Sequence, residues 1–153
     1  MGSSITRMET AFDAPAPPPA GFWIRFGAAL IDSLVLFAAE FVLGFVAGLV
    51  WGGGIAESEV FKATIAVFML ALASAYYVVL HAALGQTVGK MATRIRVVRM
   101  DGGPVPAGAA IVRYVGYWVS ALPFLIGYLM VGVRRDKRAL HDLMARTRVV
   151  RLG

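Results

Sequence analysis

The chain has 153 residues, 59% of them hydrophobic and 16% charged, with a mean hydropathy of +0.73; soluble domains run nearer about 45–50% apolar and about 25% charged, so an ordinary soluble domain is excluded. The formal net charge of +6 suits nucleic acid or anionic lipid as a partner, and the apolar excess decides for lipid over nucleic acid. Cysteine is absent, which excludes a disulfide frame, a thiolate nucleophile and a zinc–thiolate site.

Residues 1–21, "MGSSITRMETAFDAPAPPPAG", are polar and then proline-rich. They lack the basic start and small-residue cleavage site of a signal peptide and read as a disordered leader. "MGSSIT" fits the myristoylation pattern and is equally an ordinary or tagged N-terminus.

Two long apolar runs follow, "FGAALIDSLVLFAAEFVLGFVAGLVW" (26–51) and "FKATIAVFMLALASAYYVVLHAALG" (61–85). At a rise of about 1.5 Å per residue, each exceeds a hydrocarbon core of about 30 Å. They predict transmembrane helices over about 22–51 and 61–84. The connector between them holds Glu57 and Glu59 and no cation, whereas Lys90, Arg94, Arg96 and Arg99 follow the second run. Cationic loops stay in the cytoplasm, so the leader is expected inside, the connector outside, and residue 86 onward inside. The same basic residues, with Arg134 and Arg135, are expected to meet lipid headgroups. Trp23, Trp51, Tyr76, Tyr77, Tyr117, Trp118 and Tyr128 read mainly as interface belts and helix packing. Gly44 and Gly48 stand four apart, a spacing that suits close helix–helix approach or arises by chance in an apolar run.

The third apolar region, residues 107–133, is followed by a basic tail and so should start and end inside. Its 27 residues are too few for two passes, and Pro123 removes a donor mid-way. We expect an amphipathic or half-inserted helix (107–121), a break near Pro123 and a short returning helix (124–138). The rival is one pass with an external tail. "RIRVVR" (94–99) and "RTRVVR" (146–151) flank this region and agree at five of six positions. Alternation of Arg with β-branched residues suits strands. If both are cytoplasmic they can pair, over about 93–100 and 146–151; otherwise they are two unrelated basic stretches.

The fold class expected is therefore an all-α membrane protein with two long transmembrane helices, a Pro-broken third apolar region and a small cytoplasmic two-stranded β element. Within it some charges are expensive. Arg25 and Asp32 share a helix face to within about 20°, yet about 10 Å separates them, so a direct bridge is not expected and Arg25 snorkels to the headgroups. Asp32 lies deeper, where an unpaired charge costs about 2.5–3.5 kcal/mol at the bilayer centre. Arg113 and His81 are partners within its reach. Glu40 either extends a polar track outward or makes a structural hydrogen bond. His81 is either a proton relay or an interface residue.

"GQTVGK" (85–90) is no phosphate loop, because only three residues separate its glycines and Met91 follows Lys90. We read a helix stop at Gly85 and a tight turn. With no His cluster at metal spacing, no Ser–His–Asp pattern and no paired carboxylates in a soluble pocket, neither an enzyme nor a metal or cofactor is expected.

"GFWIRFGAALIDSLVL", "LGQTVGKMATRIRVVRMDGGPV" and "RRDKRALHDLMARTRVV" resemble, in order, the three signature blocks of RDD-family bacterial membrane proteins, over about residues 20–151. The resemblance implies Arg25, Asp32 and Asp142 as the signature arginine and aspartates, with Asp136 a weaker choice for the last. Ile24 replaces a basic residue often seen beside the arginine, and Glu40 lies outside the pattern. The family is of largely unknown function and suspected of transport, with cation/proton antiport suggested for some members. A multi-pass protein of the bacterial inner membrane, N- and C-termini cytoplasmic, is expected. It carries an ion or small polar solute as a homo-oligomer, through a cluster of Arg25, Asp32, Asp142, Glu40, His81 and Arg113. The alternatives are a non-catalytic accessory or scaffold subunit of a larger membrane complex, and a binder of anionic lipid.

Overall fold

The computed structural model describes residues 17–121 and 126–153. The fold is mostly helical. Helix α1 (Phe22–Ala56) leaves helical geometry at Gly52 (φ 69°, ψ 172°), a left-handed conformation that glycine adopts without a Cβ penalty. Helix α2 (Glu59–Leu84) is capped by Ser58, whose Oγ accepts from the Phe61 N–H at 3.2 Å, and stops at left-handed Gly85. Both helices are long and apolar enough to cross a membrane, and only 6% and 0% of their apolar stretches are buried against the rest of the chain.

After Gly85 the sequence reading of a tight turn is corrected. Residues Val88–Ala92 form a short helix, α3, ahead of strand β1 (Ile95–Arg99). Helix α4 spans Ala107–Ala121 and α5 spans Ile126–Val133. The break expected at Pro123 lies outside the described residues. Helix α5 ends well short of the expected 138, because the Arg134–Asp136 turn and left-handed Lys137 (φ 51°) interrupt it. A second short helix, α6 (Leu140–Met144), precedes strand β2 (Thr147–Arg151).

The two arginine-rich hexapeptides do pair: β1 and β2 form an antiparallel ladder centred on Val97 opposite Val149. A two-stranded pair alone is marginal, and this one has support. Ala20 N–H donates to Val149 O and Arg151 N–H to Pro18 O, so residues 18–20 cover the outer edge of β2. Residues 18–20, which fall within the expected leader, are thus part of the fold, drawn in by an edge that would otherwise be open. The rest of that leader, residues 1–16, lies outside the described residues. Ile95, Val97 and Val149 turn inward onto Ala20, Ala28, Val105 and Ala110 and make a small core beneath the sheet. The polar residues that matter lie beside it.

Candidate functional site: a buried polar layer

Two carboxylates, both fully buried, organise the layer. Asp142 is on α6. Its Oδ2 accepts from Arg25 Nη1 at 2.5 Å and from the Ala139 N–H at 2.9 Å, and its Oδ1 accepts from Arg113 Nη1. Arg25 is further fixed by Lys137 O (2.6 Å) and Ala20 O (3.0 Å). Arg113 donates to Thr147 Oγ1 (2.8 Å) and the Tyr117 hydroxyl (3.1 Å). One carboxylate therefore ties α1, α4, α6 and the start of β2 together. Burial works to raise the Asp142 carboxyl, and the guanidiniums of Arg113 and Arg25 overcome it, holding it well below the usual carboxylate range. Beside it, burial and then Arg113 push His141 well below the ordinary imidazole range and keep the ring neutral.

Asp32 on α1 is held differently. Its Oδ1 accepts from the Tyr76 hydroxyl (2.6 Å) and the Gly89 N–H (2.7 Å), and its Oδ2 from Thr87 Oγ1 (2.6 Å). The carboxylate therefore sits on the N-terminal turn of α3, where free N–H groups await acceptors. Gly89 makes this approach possible. A Cβ there would lie 2.0 Å from Ala28 O and 2.9 Å from Asp32 Cγ. Lys90 Nζ stands 4.0 Å from Asp32 Oδ2 and donates to Thr87 Oγ1 at 3.3 Å. Three neutral donors thus take the carboxylate, and its one nearby cation is not in hydrogen-bond contact.

This geometry corrects several expectations. Arg25 does not snorkel; its side chain is 13% exposed and turned inward, because Asp142 and two carbonyls offer better partners than headgroups. Asp32 meets neither Arg113 nor His81, since α3, unforeseen, stands beside it. Lys90 is buried rather than at the headgroups, drawn in by Thr87 and Asp32. His81 is 1% exposed, not an interface residue. Its Nδ1 faces Tyr77 O at 2.6 Å, which can only accept, so Nδ1 carries the proton; Nε2 has no partner among the described residues. Glu40 stays outside the cluster, exposed on α1. Of the other residues expected at headgroups, Arg94 and Arg135 are exposed, Arg96 is bonded to Gln86, Arg99 is paired with Asp101 and Arg134 with Asp136.

Sequence reading missed Tyr76, Thr87, Gly89, Thr147 and His141. A Thr two residues before a glycine, at the start of a short helix, was the available signal for the Asp32 site. Among the described residues, no three His, Asp or Glu side chains converge to hold a metal ion.

The RDD family model matches residues 19–146, a span holding Arg25, Asp32 and Asp142. The chain belongs to the RDD family. It is 32% identical over 147 residues to the uncharacterized protein YxaI of Bacillus subtilis, covering 86% of this chain and 97% of that protein. It is also 32% identical to the uncharacterized protein YckC of the same organism, with 86% and 83% covered. The uncharacterized membrane protein YteJ, again of Bacillus subtilis, is 28% identical, with 86% and 80% covered. No solved structure matches. The family and these relatives support an RDD-family membrane protein, and the matched span contains the three residues, Arg25, Asp32 and Asp142, that organise the polar layer described above.

Proposed function

We propose that this RDD protein sits in the bacterial inner membrane with both termini cytoplasmic, and carries a cation or small polar solute in exchange for protons as an oligomer. In this reading α1 and α2 cross the bilayer, α4 and α5 enter it from the inside and return, and the sheet lies at the cytoplasmic surface. The bare apolar faces of α1 and α2 support lipid contact, because a soluble protein would bury them. Ionisable residues inside membrane helices mark ion paths or structural pairs.

The observation that carries the reading is the open Asp32–Lys90 pair. A buried carboxylate stands 4.0 Å from a buried ammonium, with Thr87 between them. A cation reaching Asp32 would replace Lys90 as its counter-charge, and Lys90 could then release a proton. The Asp142 cluster has no such freedom, since both its oxygens are held by guanidiniums. Two crossings do not enclose a path, so further copies must supply the remaining walls.

Cation-driven proton flux in proteoliposomes tests this. Asp32→Asn keeps an oxygen for Tyr76 and Gly89 while removing the charge, so flux should disappear from a folded protein. Flux that survives in Asp32→Asn refutes the exchange. A second reading, an accessory subunit, draws on the same uncovered helices, which a partner complex would cover. Purified protein without flux that always travels with a larger membrane complex would favour it.

A further inference from the structure

Among the described residues, three other than glycine have positive φ: Arg94 (53°), Lys137 (51°) and Arg146 (50°). Arg94 and Arg146 are 52 positions apart. Counting 52 back from Lys137 reaches Gly85, also left-handed at φ 67°. Such conformations are uncommon outside glycine, and here they recur at one interval. The interval extends further. Helix α3 (Val88–Ala92) moves onto α6 (Leu140–Met144), and β1 (Ile95–Arg99) onto β2 (Thr147–Arg151), without a residue of slippage.

The strand register has the matching symmetry. Ile95 pairs with Arg151 and Arg99 with Thr147; Arg96 pairs with Val150 and Val98 with Arg148; Val97 faces Val149. Exchanging the strands at an interval of 52 returns the same pairs. A two-fold axis therefore passes between Val97 and Val149.

The preceding helices fit the same operation. At an interval of 88, "IRFGAALID" (24–32) in α1 falls on "VRYVGYWVS" (112–120) in α4. Arg25 then corresponds to Arg113, and both donate to Asp142. Asp32 corresponds to Ser120. In the first half Asp32 accepts from the backbone of Gly89, whose missing Cβ lets α3 approach Ala28. In the second half Ser120 Oγ lies 3.4 Å from Nδ1 of His141, the counterpart of Gly89. There the close-approach glycine has changed sides: a Cβ on Gly116, the counterpart of Ala28, would lie 2.8 Å from the His141 Cβ. In α2 and α5, Tyr76 corresponds to Tyr128 at an interval of 52. The two intervals differ by 36 residues, all between Asp32 and Tyr76, the outer portions of α1 and α2.

We infer that residues 22–99 and 110–151 are two copies of one helix–helix–short helix–strand unit, folded about a pseudo-twofold axis through Val97 and Val149, with Ser120 and His141 forming a second polar crossing equivalent to that of Asp32 and Gly89, while the Tyr128 hydroxyl donates to Tyr117 O (3.0 Å) where that of Tyr76 donates to Asp32. The second copy has its hairpin cut short and its crossing made neutral. The equivalents of the Asp32–Lys90 pair are Ser120 and Asp142, so the single open acid–base pair belongs to the first copy. This relation stands whether or not the protein transports anything. It also explains why one carboxylate serves two arginines: Arg25 and Arg113 are the same residue written twice, converging from opposite sides of the axis.

The absence of cysteine makes the test direct. Leu30, Arg99, Trp118 and Arg151 are all exposed, and Leu30 and Arg99 map onto Trp118 and Arg151. Full-length double-cysteine variants, spin-labelled and reconstituted in lipid nanodiscs, report distances by pulsed electron resonance. The axis requires the 30/99 and 118/151 pairs to give the same distance maximum, and the crossed pairs 30/151 and 118/99 to agree with each other. Maxima separated by more than the widths of their distributions, in either comparison, would overturn the duplication.

Discussion

Replacing Asp142 by Asn keeps the shape of the side chain and removes the one negative charge that two buried guanidiniums share. Arg25, Arg113 and Asp142 together carry one net positive charge; the substitution raises this to two, with both arginines held in place by carbonyls and hydroxyls. Breaking a buried pair by removing one partner costs about 3–5 kcal/mol. At about 1.4 kcal/mol per tenfold change, the unfolded-to-folded ratio should rise roughly 140- to 4,000-fold. Arg113→Met removes the excess charge instead, and leaves the neutral Arg25–Asp142 pair intact. It should therefore cost less than Asp142→Asn, despite the larger side chain lost. Unfolding of purified protein in mild detergent, followed by circular dichroism against a graded denaturing detergent, gives the order. Asp136→Asn, which loses an exposed pair with Arg134 and keeps an oxygen for the exposed Arg138 N–H, is the reference and should change little. If Arg113→Met proves the more damaging of the two cluster variants, or Asp142→Asn resembles Asp136→Asn, the charge argument is wrong.

Gly89→Ala would set a methyl 2.0 Å from the Ala28 carbonyl, so α3 must leave α1, and folded yield should fall sharply by size-exclusion chromatography; Gly48→Ala, which meets only open space, should leave the monomer's stability unchanged. The depressed Asp142 carboxyl gives stability that is complete above its unfolded value and is lost as pH falls through its lower folded value, so the loss sets in below about pH 4. Asp142→Asn should flatten the acid limb of an unfolding titration. His141 is kept neutral when folded, so the unfolded chain binds its proton first; stability should decline as pH falls below the reference value of 6.5, and His141→Asn should reduce that slope. Arg113, Asp142, Arg25 and Lys90 act on the ring in both states of the titration, and none of them is altered in that variant.

The long helices and the paired strands were legible because each is written in local pattern. Apolar length alone marks α1 and α2, and the repeated basic hexapeptide marks β1 and β2. The short helices α3 and α6 were not legible. Five residues carry too little periodicity to announce a helix, and such a helix exists only because a long neighbour packs against it. That omission propagated into the site. Without α3, the backbone N–H of Gly89 was not available as a partner, and Arg113 and His81 were left as the groups in reach of Asp32. Helical phase placed Arg25 and Asp32 on one face correctly, but it could not tell which way Arg25 would turn. That depended on Asp142, 117 positions away, and on the carbonyls of Ala20 and Lys137. Long-range polar partners are set by tertiary packing, which no window along the chain contains.

The two buried aspartates therefore solve opposite problems. Asp142 neutralises cations that the fold has already buried, and its bonds reach from the first long helix to the second strand. Asp32 brings a negative charge into an apolar helix and is met mainly by neutral donors. A buried acid whose counter-charge stands just out of contact is poorly suited to fastening, because a closed pair at the same place would hold more tightly. It is well suited to meeting a second cation. Under the proposed exchange, Asp142 would keep the short helices and sheet rigid and Asp32 would meet the cation. On this division of labour, substitutions at Asp142 should be read out in folding, and substitutions at Asp32 in flux.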